Sequence, residues 1–473
     1  MTPDQILSLG PQLADFLDEV GDCFARSEPR GHLASYVRGQ LSDLPRKSVQ
    51  PIADFSGTPR RTLQEFLSWS EWDHSLVRDR VQIIVARDHA DPHAIGILDD
   101  SGHPKSGNKT ACVQRQWCGN TGKLDNCVVT VHLAYTTYDT RFRAMLDSAL
   151  FLPEKGWYDP DRRKEAGIPV DLTYQPKWQI ALDLLDRARS NGVVFGWITA
   201  DEWYSTSSQF LSGLEVRGQR YVVEVRKSFR GWLYDPHQSL SVRLSTVENM
   251  CSFSAPMMRQ PWQRVYVKDT DKGPMVWEIK YAPFWLSRDR YVLGPYWLIY
   301  ARNPADPDEV KFFLSNASPG TPLEPIVHVA FARWPVERCL EDEKDELGLS
   351  HFEVRKYDSI MRHLSVTQVS HLFLARQTKR LRGEKSGDHV VPSPNGRQRI
   401  GGRVVASKTG SNRTVGQGIE QYQADSRPEF PCSKIPHKNQ SAATKAPGNP
   451  IGGPPLLHTA VNWQVALSRM PLS

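Results

Sequence analysis

Apolar residues recur at helical spacing at the start of the chain and then give way to short strand-like runs. Ile6, Leu7, Leu13, Phe16, Leu17 and Val20 form an interrupted face, and Phe66, Leu67, Trp69, Trp72, Leu76, Val77 and Val81 repeat it between Arg61 and Val85. That spacing predicts a small helical domain over residues 1–85. From residue 93 the pattern changes. Ala94–Leu98 is nearly all apolar, as suits a strand covered on both faces, and Cys127–Tyr135 is rich in β-branched residues. Trp178, Ala181, Leu182, Leu185 and Ala188 return to helical spacing. Asn191-Gly192 marks the end of that helix, and Val193–Ala200 reads as a further strand. Strand, strand, helix, strand is an α/β order.

Residues 215–325 read mostly as β, with runs at Arg220–Arg226, Gln263–Val267, Met275–Tyr281, Tyr291–Tyr300 and Lys311–Ser315. This block is expected to be an insertion that divides an α/β domain into a first part, 86–214, and a closing part, 326–385. Helical character returns at Val336–Leu347 and Ile360–Leu374. Beyond 386 the chain is rich in Gly, Pro, Ser, Asn and Gln, so 386–473 is expected to be a disordered tail, with Leu456–Asn462 the more ordered part.

The 473 residues exceed one compact core, and the 39% hydrophobic content suffices for two or three. No apolar run reaches the length of a membrane span. Met1-Thr2-Pro3-Asp4-Gln5 has no secretory character, so the expected location is the cytoplasm, with no membrane partner. Seven scattered cysteines fit reduced thiols. The net charge of +6 is modest but clustered: Arg376, Lys379, Arg380, Arg382 and Lys385 surround a single Glu384. Such a run reads either as a polyphosphate-attracting segment or as a solvated basic tail.

Two apolar runs end in acid. Ala94-Ile95-Gly96-Ile97-Leu98 leads into Asp99-Asp100, and Val193–Ala200 leads into Asp201. In α/β sheets, functional residues gather at the carboxyl ends of strands. Further on, Arg333, Glu337 and Lys344 lie four and seven residues apart, on one face of a predicted helix. Mg²⁺ binds through a few carboxylates and completes its shell with water and substrate phosphate. Two strand-end aspartates and a helical glutamate flanked by cations therefore point to divalent-metal phosphoryl transfer. Each acid taken alone reads as a solvated loop residue; the combination does not. Cys112, Cys118, Cys127, His103 and His132 lack the spacing of a zinc knuckle, and His89, Asp91 and His93 read as a polar loop.

Longer motifs add to this. Leu98-Asp99-Asp100-Ser101-Gly102-His103-Pro104-Lys105 is followed by the Gly-containing segment Gln114–Lys123, then by Ala200-Asp201-Glu202-Trp203-Tyr204-Ser205. The Arg333, Glu337, Lys344 spacing and Leu349–Arg355 complete the series. In order and spacing these motifs, over roughly residues 60–385, resemble the bacterial insertion-sequence DDE transposases of the branch with a Tyr-Arg-Glu-Lys motif; Ala330 stands at the tyrosine position.

The resemblance implies an RNase H-like catalytic core interrupted by a β insertion; the helical domain before it, with cations between its apolar faces, reads either as a DNA-docking domain or as one that binds nothing. The resemblance also implies Asp100, Asp201 and Glu337 as the catalytic and metal-binding triad, for Mg²⁺ or Mn²⁺. Asp99 is the rival of Asp100, since a one-residue shift exchanges the faces of a strand, and Glu341 is the rival of Glu337. Arg333 and Lys344 are expected on DNA phosphates near the cut. Lys105, Lys109, Arg115 and Lys123 either track the DNA backbone or belong to an exposed polar loop. Trp277, Trp285 and Trp297 are either core or base-stacking residues. The implied partners are double-stranded element ends and target DNA, bound by at least a dimer. The rival functions are a metal-dependent nuclease without strand transfer and an inactive DNA-binding remnant.

Overall fold

The computed structural model describes residues 3–238, 243–270, 273–288 and 291–385, all within one compact unit. The expectations for residues 386–473 lie outside the described residues.

The chain begins with six helices: α1 (Pro3–Leu7), α2 (Leu9–Gly21), α3 (Ser27–Leu41), α4 (Val49–Ser56), α5 (Arg60–Ser68) and α6 (His74–Asp88). The apolar periodicity over Arg61–Val85 suggests continuity, but the chain breaks between α5 and α6. There the buried Trp72 indole donates to the Phe66 carbonyl at 2.7 Å, and the Asp73 carboxylate caps α6 by accepting from the Ser75 N–H at 2.7 Å. Trp69 and Leu76, which fit the apolar spacing, face solvent.

A ten-stranded mixed sheet follows, built from β1 (Ile95–Pro104), β2 (Gln114–Cys118), β3 (Lys123–Thr136), β4 (Arg143–Leu150), β5 (Trp197–Ala200), β6 (Tyr221–Glu224), and, after a small ladder of β7 (Arg230–Gly231) with β8 (Ser245–Thr246), β9 (Gln263–Thr270), β10 (Gly273–Arg288), β11 (Tyr291–Asn303) and β12 (Asp306–Ser315). Its path runs β2-β3-β1-β5-β6-β12-β11-β10-β9, with β4 also paired to β3. β1 is antiparallel to β3 and parallel to β5, which is parallel to β6. The β-rich segment expected as an insertion continues this sheet: β12 pairs antiparallel with β6 and covers its edge. Trp277 in this segment is buried against Phe331, and Trp297 packs on Tyr281. Trp285 pairs through its backbone with Trp232.

Two strands differ from their sequence pattern. β5 starts only at Trp197, because Gly196 lies against the backbone of Pro92 and His93, where a Cβ would stand 2.7 Å from both. β1 runs past both aspartates to Pro104, since the antiparallel ladder with β3 continues to Pro104 opposite Cys127. Asp99 and Asp100 are therefore inside a strand, not at its end. The parallel ladder with β5 does stop at Leu98 opposite Ala200, immediately before Asp99 and Asp201.

Between and after these strands come α7 (Pro160–Glu165), α8 (Lys177–Ser190), α9 (Glu202–Ser205), α10 (Ser208–Val216), α11 (Val247–Phe253), α12 (Ala255–Arg259), α13 (Leu323–Ala330), α14 (Trp334–Glu341) and α15 (Tyr357–Lys385). They give the sheet two apolar layers. Leu98, Ile198 and Ala200 share a core with the N-terminal helices, α8, α10 and the later turns of α15. Ile95, Ile97 and Trp197 share the other with α13, α14 and the first turns of α15. This alternation follows from the two-residue period of a strand.

The basic run at 376–385 forms the end of α15. Arg376 pairs with Glu19 and Asp88 (3.3 and 3.4 Å), and Arg380 donates to the Ser8 hydroxyl at 3.4 Å. At these positions the charge serves helix packing and is neither a free tail nor an open phosphate track.

The N-terminal helices are also fixed to the sheet by charge. Arg78 of α6 donates to Asp147 of β4 at 2.5 Å, Asp147 has no exposed surface, and Gln82 donates to its other oxygen at 3.0 Å. Replacing Arg78 by Ala leaves this buried carboxylate with the neutral donors Gln82 and the Ser148 N–H and, at 3.8 Å, with Arg187. Urea unfolding of Arg78→Ala is expected to show a loss of about 3 kcal/mol; a change within the error of the fit would mean that the pair does not anchor the helices.

Candidate active site

Strand parity decides where each acid points. Asp99 continues the series Ile95, Ile97, so it projects toward the α13–α14 layer; Asp100 continues Leu98 and projects toward the α8 layer. Asp201 follows Trp197 and Thr199 in the same way and belongs with Asp99. The contacts agree with this parity. Arg333, the residue before α14, donates through Nη1 to Asp99 Oδ2 (3.3 Å) and through Nη2 to Glu337 Oε1 (2.8 Å). One guanidinium thus holds an acid of β1 and an acid of α14. Asp100 Oδ2 accepts instead from Lys177 Nζ at 2.7 Å, at the start of α8.

Asp201 caps α9, accepting from the backbone N–H groups of Trp203 (3.0 Å) and Tyr204 (3.3 Å). These bonds fix its carboxylate at the end of β5 and at the positive end of a short helix.

The electrostatics identify a site short of positive charge. Burial pushes the Asp99 carboxyl up to about 7, and the neighbouring Asp201 and Asp100 charges add to the rise, against Arg333. Burial likewise raises Asp201, with Asp100 adding and the two backbone N–H groups and Arg333 opposing. Tyr204 is buried beside all three aspartates, and its hydroxyl has no hydrogen-bond partner among the described residues. On the cationic side, burial works against the charge of Arg333, but Asp99, Glu337 and Asp201 outweigh it and raise its pKa.

α14 does not continue as one regular helix. Residues Asp342–Glu346 form a π-helical turn, so Lys344 is not simply two α-turns beyond Glu337. It still faces the site: Asp99 is among the charges acting on it, and its Nζ donates to Asn120 Oδ1 at 2.7 Å, at the tip of the β2–β3 hairpin. Glu343 is turned fully inward, and burial pushes its carboxyl up to about 8. Glu341 pairs with Arg338 at 3.3 Å on the exposed side of α14, apart from the aspartates.

The remaining cations of the sequence reading have different surroundings. Lys105 is half-buried; its ammonium lies over the Phe352 ring at 3.3 Å and donates to the Phe352 carbonyl at 2.8 Å, so it anchors the 349–355 segment. Lys109 pairs with Glu165 at 2.6 Å. Arg115 and Lys123 are exposed on the hairpin. Two residues near the acids carry no motif: Lys177, which lies 77 positions after Asp100 in the chain, and Lys268 of β9, which stands 4.2 Å from the Trp334 ring and feels the Glu337 charge. Only long-range pairing brings them in, so no spacing in the sequence marks them.

Among the described residues no three His, Cys, Asp or Glu side chains stand close enough to enclose a metal ion. The donors nonetheless fit a hard divalent cation: they are carboxylate oxygens, two of them raised in pKa by burial and like charge, beside a buried hydroxyl without a partner. Arg333 stands between Asp99 and Glu337 as the resident counter-charge.

The chain matches the family described as DDE superfamily endonuclease over residues 19–243. It is also 30% identical, over 326 residues, to a protein of Microchaete diplosiphon described as "Probable transposase for insertion sequence element IS701". That match covers 68% of this chain and 76% of the relative.

The raised Asp99 pKa has a thermodynamic consequence. Between the ordinary value of 3.8 and about 7 the folded state keeps a proton that the unfolded state releases, so Asp99 lowers stability as pH rises through that window. In EDTA, Asp99→Asn is expected to gain melting temperature over wild type progressively from pH 4 to 7, and no further above 7. A constant offset at every pH would contradict the burial of that charge.

Proposed function

We propose a mechanism from one premise: the chain belongs to the insertion-sequence DDE transposases of the DDE endonuclease superfamily, enzymes that act on DNA. The strand order of the first six main-sheet strands, with β4-β3-β1 antiparallel and β1-β5-β6 parallel, supports an RNase H-like core for this chain. The β9–β12 block is read as the insertion in that core. The N-terminal helices, residues 1–85, are read as its DNA-docking part.

Asp99, Asp201 and Glu337 are assigned as the metal-binding triad. The observation that carries this assignment is the single Arg333 guanidinium shared by Asp99 and Glu337, on the face of the sheet to which Asp201 also belongs. Asp100, the first choice from sequence, is supported less well, because Lys177 neutralises it on the α8 side. Divalent ions of the Mg²⁺ or Mn²⁺ type, when bound, supply Lewis-acid activation of the attacking and leaving oxygens in phosphoryl transfer.

The chain's own groups do the positioning. Arg333 offers planar, paired donors, so a scissile phosphate can take the place of one of its carboxylates; a phosphate there would release Glu337. Lys344 contributes a second cation from the π-turn. Arg115 and Lys123 extend the cationic surface along the hairpin, whereas Lys105 and Lys109 are already engaged within the protein. Water first cuts a strand at the element end, and the freed 3′-hydroxyl then attacks target DNA. Joining two ends requires at least a dimer on DNA.

The test uses a duplex carrying the element end, Mn²⁺, and a target plasmid supplied with pre-cut ends. Asp99→Asn, Asp201→Ala and Glu337→Ala are each expected to lower cutting and joining by roughly a thousandfold, while salt-sensitive DNA binding persists. Asp100→Asn is expected to retain most of the activity. Cutting without joining by the wild-type protein would favour a nuclease, and loss at Asp100 with retention at Asp99 would reverse the assignment.

A second prediction concerns the counter-charge. Arg333→Gln removes both a phosphate ligand and the cation between two acids, so it is expected to raise the Mn²⁺-induced gain in melting temperature while slowing cleavage. A smaller gain would mean that Arg333 does not compete with the ion.

A further inference from the structure

Glu343 sits beside the site but has no part in the chemistry above. It lies in the π turn Asp342–Glu346, which closes from the Leu347 N–H to the Asp342 carbonyl at 3.2 Å. The extra residue of a π turn shifts every side chain that follows it, so this turn sets where Lys344 points. Glu343 faces inward with no exposed surface, and neither of its carboxyl oxygens has a hydrogen-bond partner among the described residues. A carboxylate charge is costly in such a place.

The neighbouring histidine shows how that cost is avoided. His371 of α15 is buried, and its Nδ1 stands 3.5 Å from Glu343 Oε1. The same Nδ1 accepts the Met145 N–H at 3.2 Å, where β4 carries an extra residue, Leu146, in its ladder with β3. A ring nitrogen that accepts from an N–H has no proton of its own. A lone pair therefore faces the Glu343 oxygen, which repels an anion and suits a protonated acid. Burial and the Arg143 charge keep His371 neutral, lowering it to about 3. Burial and the Asp342 charge push Glu343 up to about 8, against Lys344. The charged and titratable groups around the pair are thus Asp342 and Lys344 on the turn, Cys339 on α14 and Arg143 on β4; Arg338 holds Asp342 at 2.8 Å.

We propose that Glu343, kept as a neutral acid against His371, is a positioning residue: it holds the π turn so that Lys344 reaches the DNA phosphate at the site, and loss of its proton withdraws that cation. Once the proton has gone to solvent, the buried carboxylate repels the His371 lone pair and draws on the adjacent Lys344 ammonium, which leaves Asn120 for it. Cutting then falls at alkaline pH although the reacting groups are unchanged. The inference rests on the transposase reading above, because it needs Lys344 on DNA.

The experiment follows two readouts across the value of about 8 given by Glu343: Mg²⁺-dependent cutting of an element-end duplex, and the salt dependence of binding that duplex. Above it, wild type is expected to lose cutting by roughly tenfold per pH unit, and the slope of log affinity against log salt is expected to shrink by about one phosphate contact. Glu343→Gln keeps a neutral group of the same shape, so it is expected to match wild type at neutral pH and to show neither change. Lys344→Gln is expected to cut slowly and bind with the smaller slope at every pH. Burial lowers the pKa of Lys344 as well, so a fall shared by Glu343→Gln would be the titration of Lys344 itself and would overturn the proposal. No fall in wild type would overturn it too, as would a Glu343→Gln protein with the wild-type melting curve that cuts poorly at neutral pH. If Glu343→Gln does not fold, Lys344→Gln decides, because an alkaline fall as steep as that of wild type would show that the lost proton does not act through Lys344. Failure of wild type to cut at any pH would count against the transposase reading; the binding slope would still judge the positioning role, which an unchanged slope rejects.

Discussion

The contact on which this site depends is the Arg333 guanidinium held between Asp99 and Glu337. It is a tie between a strand near residue 100 and a helix more than 230 positions later. Without it, Asp99 and the capping acid Asp201 would share a poorly solvated corner with Lys344 the main cation left facing them. Burial already lifts Asp99 to about 7, so the corner holds negative charge at a cost. A guanidinium relieves that cost, and under the proposed function a phosphate or a metal ion would replace one of its partners.

Everything that brings these groups together follows from alternation along two strands. Ile95 and Ile97 bind one layer of helices and Leu98 the other, which leaves Asp99 toward α14 and Asp100 toward α8. The parallel ladder between β1 and β5 ends immediately before Asp99 and Asp201. Gly196 keeps β5 short and close to Pro92 and His93. The β9–β12 block then closes the exposed edge of β6 and delivers Lys268 beside Trp334. Because this block continues the main sheet, its strands share the sheet's core and reach the neighbourhood of α14 directly.

Much of this was readable before any coordinates, and the exceptions have definite causes. The order of helices and strands and the Arg333–Glu337 neighbourhood follow from local period and spacing. Which of Asp99 and Asp100 meets Arg333 does not, because a continuous apolar run leading into two adjacent acids gives no phase; only packing on both faces supplies it. The break between α5 and α6 was hidden by Trp69 and Leu76, apolar residues that solvate. The basic stretch near 376 reads as either a phosphate track or a solvated tail because composition does not reveal that Glu19 and Asp88 lie against it. Lys177 and Lys268 carry no local pattern at all, since both act only through pairing across the fold.

The most direct measurement is anomalous diffraction from Mn²⁺ in crystals of the protein bound to an element end. The account predicts manganese density about 2 Å from oxygens of Asp99 and Asp201, Glu337 turned off Arg333 toward it, and Asp100 still on Lys177. Density coordinated by Asp100, with Asp99 and Glu337 unchanged on Arg333, would contradict it.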